Sequence, residues 1–366
     1  MAKNVEIRDS IEQKEAIQAC LLEWFRINKR PLPWRINYTP YEVWISEVML
    51  QQTQMQRGVE YFLRWMTLFP DIQTLARSSE EDVLRAWEGL GYYSRARNIV
   101  KTARIVLAQY GGVFPTHKEA MRTLPGIGEY TANAIASIAF EQNVVCVDAN
   151  VERIVTRLFD IEDDIGTRQG KDIVQSLAKA LLPEGRARDF NQAMMEFGAL
   201  VCDKDPQCAN CPLSPFCRAH SLGTEKERPC KKRLVRSKRS VVALALLLDG
   251  DSILVTERKK SGLWCGLYTF PFVEVKNGDP SNALRLFLLE SLGIRVTQSR
   301  WQDRLRHSYT SWQVDLHAYA FTLSHEKEKG APSGYVWVNK AVLQNYPFPS
   351  PHRTVLERFT EQKKEP

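Results

Sequence analysis

No run of about 18 apolar residues occurs in this chain, which excludes a membrane-crossing helix. The longest apolar run, Val241 to Leu248, is short and reads as a buried strand. The N-terminal MAKNVEIRDS holds no apolar leader core, so export by that route is not expected and the cysteines should be reduced. No internal repeat is present. Neither apolar nor aromatic residues are scarce, at 44% and 10%, so disorder is excluded, and a length of 366 residues predicts two domains. The net charge of +7 permits a polyanionic partner without requiring one.

Disulfide spacing is also missing. Of eight cysteines, Cys20, Cys146, Cys230 and Cys265 are scattered and read as small apolar fillers. Cys202, Cys208, Cys211 and Cys217 are different: they follow the spacing C-x5-C-x2-C-x5-C, which lets four thiolates converge on one metal centre. Structural zinc sites commonly carry two C-x2-C pairs. This chain has one, which favours iron–sulfur over zinc, although spacing alone does not decide between them. His117-Lys118-Glu119 with Cys208 to Cys211 imitates a zinc deaminase signature, but Gln207 stands where that signature has proline, and the match is accidental.

Helical periodicity fills the chain to about residue 220, over Ile17 to Phe25, Val43 to Met55, Val83 to Trp87, Arg97 to Tyr110, Tyr130 to Phe140, Val151 to Phe159 and Asn191 to Val201. The polar, basic stretch Glu225 to Arg239 reads as a surface connector, lying against phosphates or simply solvated. Beyond it the pattern is mixed α/β. Val241 to Leu248 and Ser252 to Thr256 form a hairpin around Asp249-Gly250-Asp251, and Asn282 to Leu292 is a helix stopped by Gly293. Trp312 to Thr322 and Tyr335 to Val338 are further strands. The expected organisation is a helical domain over 1–222, a basic linker over 223–239 and an α+β domain over 240–366.

Leu124-Pro125-Gly126-Ile127-Gly128-Glu129-Tyr130-Thr131 lies between two helices. Gly126 and Gly128 would let a phosphate approach the backbone, with the N–H groups of the next helix pointing at it. G-x-G alone more often marks an ordinary helix-to-helix turn; its place before a helix and upstream of the cysteines favours the phosphate clamp.

With these features the chain resembles the helix-hairpin-helix DNA glycosylases with an iron–sulfur loop, the superfamily of endonuclease III and of the adenine DNA glycosylases of the MutY type. Leu32-Pro33-Trp34-Arg35, Trp44 to Thr53, Trp87 to Arg95, Val147 to Val151 and Phe197 to Cys202 carry the resemblance to the adenine-specific branch. It implies an all-α helix-hairpin-helix domain with one [4Fe–4S] cluster on Cys202, Cys208, Cys211 and Cys217, then an α+β Nudix-like domain entered at Gly266 to Pro271. The helix Asn282 to Leu292 has Glu290 as its single acidic residue, so no Mg²⁺-dependent pyrophosphatase activity is expected.

The implied activity is removal of adenine paired with 8-oxoguanine or guanine in double-stranded DNA, by a monomer without membrane association. Cleaving an N-glycosidic bond needs a proton for the base and negative charge for the sugar cation, work that two carboxylates divide. Glu47, in an apolar helix, matches the general acid. Asp148 matches the carboxylate that stabilises the cation or bonds to it, and Asn150 the residue that orients water. Without the resemblance, Asp148 or Asn150 would be simply a helix N-cap. Tyr130 stands where glycosylase-lyases place a Schiff-base lysine, so strand cleavage is not expected. Gln52 and Tyr92 match wedge residues that plug the duplex, and Trp34 and Arg35 match the lining of the base pocket, while Trp44 reads as core.

Three departures stand out. Five residues rather than six separate Cys202 and Cys208, Ala149 replaces a glycine, and Tyr309-Thr310-Ser311 stands where the family's Phe-Ser-His motif reads the opposite strand. A non-catalytic damage-binding protein, or a glycosylase for another base, are the alternatives.

Overall fold

The computed structural model describes residues 13–231, 238–258, 264–309, 312–323 and 330–362. The chain forms two compact units, Met1–Arg77 with Asn98–Arg233, and Ser78–Arg97 with Leu234–Pro366. No described helix is long and apolar enough to cross a membrane.

The helices up to and just past the cysteines are α1 Lys14–Asn28, α2 Pro40–Leu50, α3 Met55–Leu68, α4 Ile72–Arg77, α5 Glu80–Ala86, α6 Ser94–Tyr110, α7 Lys118–Arg122, α8 Glu129–Ala134, α9 Ala149–Leu158, α10 Arg168–Leu181, α11 Ala187–Leu200 and α12 Arg218–Leu222. Local chemistry sets their ends. A Thr39–Glu42 capping box with Pro40 in the first turn starts α2. The expected single helix from Val43 to Met55 is broken after Leu50, because Gln52 takes a left-handed conformation at φ +60° and a new helix begins at Met55. In α9, Val151, Ile154, Val155 and Leu158 are all buried, the i, i+3, i+4, i+7 stripe of an amphipathic helix. They share one core with Ile17, Leu21 and Phe25 of α1, Leu177 of α10 and Phe190 and Phe197 of α11.

In the other unit a mixed sheet of seven strands runs β3-β2-β1-β6-β5, with β4 paired to β1 and β7 to β2. Its strands are β1 Lys238–Asp249, β2 Ser252–Glu257, β3 Tyr268–Thr269, β4 Phe272–Val275, β5 Val296–Tyr309, β6 Trp312–Leu323 and β7 Val336–Asn339. The expected hairpin is present, in the register Leu248↔Ile253 and Asp249↔Ser252. The central pair β1–β6 is parallel. Alternate residues of β1 enter two cores: Leu244, Leu246 and Leu248 pack with Val355, Leu356 and Phe359 of α14 (Ser350–Gln362), and Ala243, Ala245 and Leu247 with Leu284 and Leu288 of α13 (Pro280–Leu292). A strand covered on both faces is why this stretch reads as a continuous apolar run. Gly293 ends α13 in the left-handed region, as expected.

The connector is not merely a surface segment over its first half. Arg228 is buried and pairs with Asp160 at 2.8 Å, and the Cys230 carbonyl accepts from the Ile165 amide at 3.1 Å. Residues 232–237 lie outside the described residues.

Candidate active site and metal centre

A cavity of about 420 Å³ opens in the helical unit between α2, the turn after it, α8, α9 and α11. That volume suits a small organic group such as a nucleobase. Glu47, Tyr130, Asp148 and Asn150 all line it, together with Trp34 and Gln52.

The neighbours of Glu47 on α2, from Val43 to Ser46 with Val48 and Met49, are buried. Burial pushes the Glu47 carboxyl up to about 7; the Tyr130 hydroxyl and Arg35 oppose the rise, and the Asp148 charge adds to it. Burial and the nearby Glu47 and Asp148 charges raise Tyr130 well above the usual phenol range, so its hydroxyl keeps its proton. That hydroxyl also reaches the Met195 sulfur at 3.3 Å.

Asp148 is the N-cap of α9, so the cap and the pocket carboxylate are one residue. One oxygen accepts from the amides of Asn150 and Val151 at 2.9 and 2.8 Å, and the other from Asn150 Nδ2 at 2.8 Å. The dipole of α9 adds positive potential there. Ala149, where the family has glycine, is the first residue of this helix and carries no positive φ, so its Cβ is tolerated. Asn150 is itself clamped. Its Oδ1 accepts from Arg153 at 2.8 Å, and a Cβ on Gly198 of α11 would come within 2.6 Å of the Asn150 Cβ. Gly198 thus lets α11 press against the residue that holds Asp148.

Arg35 lines the cavity as well, as expected. It donates to Glu196 Oε2 at 3.0 Å, Gln192 Oε1 at 3.0 Å and the Arg30 carbonyl at 3.0 Å. Arg30 binds the same carboxylate through Nε at 2.7 Å and its amide at 2.9 Å. Burial would raise the Glu196 carboxyl, but the hydrogen bonds from Arg30 and Arg35 overcome it and hold the group near about 2. Sequence reading missed Glu196 and Arg30. Glu196 had carried the signal used for Glu47, a carboxylate inside an apolar helix, here between Met195 and Phe197. Trp34 is buried against Phe62, and Trp44 is core, as expected.

Gln52 is exposed at the rim of the cavity in its left-handed conformation. Tyr92, in the other unit, is also exposed and left-handed, at φ +47°. Such backbone is costly for residues other than glycine and is stored where function needs it. Gly126 has φ +79°, and a Cβ there would lie 2.7 Å from the Asn98 Cβ. Gly128 caps α8 and faces open space. Tyr309 ends β5; Thr310 and Ser311 lie outside the described residues.

Cys202, Cys208, Cys211 and Cys217 line one small cavity, and none is in a disulfide. Burial pushes the thiols of Cys211 and Cys217 up to about 11 and about 12. Without a cation they would stay protonated; a bound metal makes them thiolates, so the donor set fits such a group. Arg157, buried, donates to Cys202 Sγ at 3.3 Å, the kind of hydrogen bond that neutralises sulfur charge. His220 and Glu225 stand within 4.8 Å of Cys208 and hydrogen-bond each other at 2.6 Å.

Residues 45–183 match the model of the HhH-GPD superfamily of base excision DNA repair proteins, and residues 242–358 that of the NUDIX domain. The chain is 36% identical to the adenine DNA glycosylase of Rattus norvegicus, across 95% of this chain and 79% of that one. It is 31% identical to that of Mus musculus, across 95% and 78%, and 35% identical to that of Buchnera aphidicola subsp. Schizaphis graminum, across 93% and 97%. A solved thermostable thymine-DNA glycosylase superposes with a TM-score of 0.52 at 26% identity, over 58% of this chain and 98% of that one.

Proposed function

The chain belongs to the adenine DNA glycosylase family, enzymes of base excision repair, and on that premise we propose that it hydrolyses the N-glycosidic bond of adenine paired with 8-oxoguanine or guanine in duplex DNA. The observation that carries this reading is the convergence of Glu47 and Asp148 on one cavity, with environments that push their roles apart.

Glu47, its proton retained by burial, delivers that proton to a ring nitrogen of the flipped adenine. Asp148, fixed by three donors, faces the sugar as positive charge develops, stabilising the cation or bonding to it. Asn150 orients both Asp148 and the attacking water. Tyr130 keeps its proton and offers no amine, so no Schiff base forms and the strand is left uncut. Glu196, its acceptor sites taken by Arg30 and Arg35, fixes those two arginines at the cavity and is not left to bind the base.

Gln52 and Tyr92 are each suited to enter an opened base stack, and the turn at Gly126 and Gly128 grips a phosphate through backbone N–H groups. Cys202, Cys208, Cys211 and Cys217 would hold one [4Fe–4S] cluster, which would fix this loop for contact with DNA.

Single-turnover assays on duplexes with adenine opposite 8-oxoguanine, guanine, cytosine and thymine test the assignment. Release is expected from the first two. Absence of adenine release from every duplex would sink it.

A further inference from the structure

Tyr92 sits in a segment, Ser78–Arg97, that belongs by compactness to the β-rich unit, although the sequence places it among the helices of the other. Within that unit the turn from Trp87 to Tyr93 is tied from inside. Trp87 Nε1 donates to the Gly91 carbonyl at 3.0 Å. Arg95, 9% exposed, donates to the Leu90 and Gly91 carbonyls, both at 3.2 Å, and its guanidinium lies 5.1 Å from the Trp87 ring and 5.6 Å from the Tyr92 ring. Gly89 and Gly91 supply the positive φ values that the turn requires.

It is also tied from outside, by residues at the start of α14 and just before it. Arg353 forms a two-pronged ion pair with Glu88, Nη2 lying 2.9 Å from Oε2, and the two side chains are only 17% and 15% exposed. The same Nη2 donates to the Tyr346 carbonyl at 2.7 Å. The Tyr93 hydroxyl donates to the Phe348 carbonyl at 3.0 Å. Trp87, Glu88, Tyr93 and Arg95 are thus fastened around it, and Tyr92 stands 42% exposed on left-handed backbone.

A ring that enters a base stack gains most when it is already held in the entering posture, because ordering it during the encounter would subtract from binding. We propose that Arg353, through Glu88, and the Tyr93–Phe348 hydrogen bond are positioning elements that hold Tyr92 ready for insertion, making the β-rich unit a working part of base extrusion. This rests on the reading of Tyr92 as the plug.

The test uses the full chain and a duplex with fluorescent 2-aminopurine as the target base, whose signal rises when it leaves the stack. Tyr92→Ala is expected to slow extrusion. Arg353→Gln should slow it about tenfold, the equivalent of about 1.4 kcal/mol of lost positioning. Arg353→Lys should restore part of the rate, and Tyr92→Ala with Arg353→Gln should be no slower than Tyr92→Ala alone. Tyr93→Phe, which deletes one hydroxyl, gives the same reading if Arg353→Gln fails to fold.

Slowing by Tyr92→Ala with wild-type rates for both Arg353→Gln and Tyr93→Phe overturns the positioning proposal and leaves the plug intact. Additive effects of Arg353→Gln and Tyr92→Ala overturn it as well, since Arg353 would then act by another route. A wild-type rate for Tyr92→Ala removes the plug reading itself, and the proposal with it.

Discussion

Asn150 and Cys202 are joined through a single guanidinium. Arg153 Nη2 donates to Asn150 Oδ1 at 2.8 Å while its Nε donates to the Cys202 carbonyl at 2.7 Å, and Nη2 also reaches the Gly198 carbonyl at 2.7 Å. The residue beside the Asp148 carboxylate and the first cysteine of the metal loop therefore share one support. Arg153→Gln is expected to slow adenine release by roughly 10- to 100-fold, the range found when an outer support of a metal or catalytic group is lost. Iron content and single-turnover rate, measured on the same preparation, check this; an unchanged rate would show that Asn150 stands without the link.

Glu47 predicts a pH dependence of definite sign. Its folded pKa of about 7 lies above the ordinary 4.5, so the proton is bound more tightly in the folded protein. Release of adenine should fall as pH rises through about 7, as the acid form is lost. Stability should be greatest below about 4.5 as far as this group is concerned and decline as pH rises to about 7, by up to about 3 kcal/mol. Glu47→Gln should lose more than about 100-fold in release yet melt higher than wild type at pH 8. A pH–rate profile and thermal unfolding at two pH values decide it; a Gln variant melting lower at pH 8 would contradict the burial argument.

The two glycines of the hairpin separate folding from binding. Gly126→Ala places a Cβ against Asn98 at positive φ and should cost about 1–3 kcal/mol of stability. At Gly128 an added methyl meets nothing within 4 Å, so Gly128→Ala should fold as wild type. Its duplex affinity should still drop, because the methyl occupies the space a phosphate needs. Denaturant melts and binding titrations distinguish the two, and undiminished affinity for Gly128→Ala would place the phosphate elsewhere.

The metal loop should give a brown protein with about four irons per chain and an absorbance band near ~400 nm. Metal analysis that returned stoichiometric zinc would replace the cluster with a structural zinc site. Arg157→Met, which removes the donor to Cys202 Sγ, should speed loss of the colour in air, whatever happens to catalysis.

How much of this was legible beforehand depended on whether a residue type announces its environment. β1 was readable because both its faces are covered and its residues are apolar throughout. β5 was missed: it lies at the sheet edge, alternates half-buried with exposed positions and carries Arg304, Arg306 and His307, so its pattern resembles solvated chain. The break between α2 and α3 was missed because Gln52 adopts left-handed backbone without the glycine that would signal it. Glu47 and Asp148 were singled out through their flanking residues and both line the cavity, whereas Glu196, in a similar apolar setting, is told apart only by its pairing with Arg30, 166 positions away.

The double duty of Asp148, as helix cap and pocket carboxylate, bears on what its mutations would do in a living cell. Asparagine caps helices as well as aspartate does, so Asp148→Asn leaves α9 anchored while removing the charge from the sugar. Such a protein would escape degradation, accumulate at full abundance and occupy lesions without clearing them, shielding them from other repair enzymes. Asp148→Val loses the cap, at about 1 kcal/mol, a loss large enough to lower the amount of protein that survives proteolysis. Of the two lesions in the gene, the gentler substitution would be the more harmful, and immunoblots set beside mutation rates in the two strains would reveal the inversion.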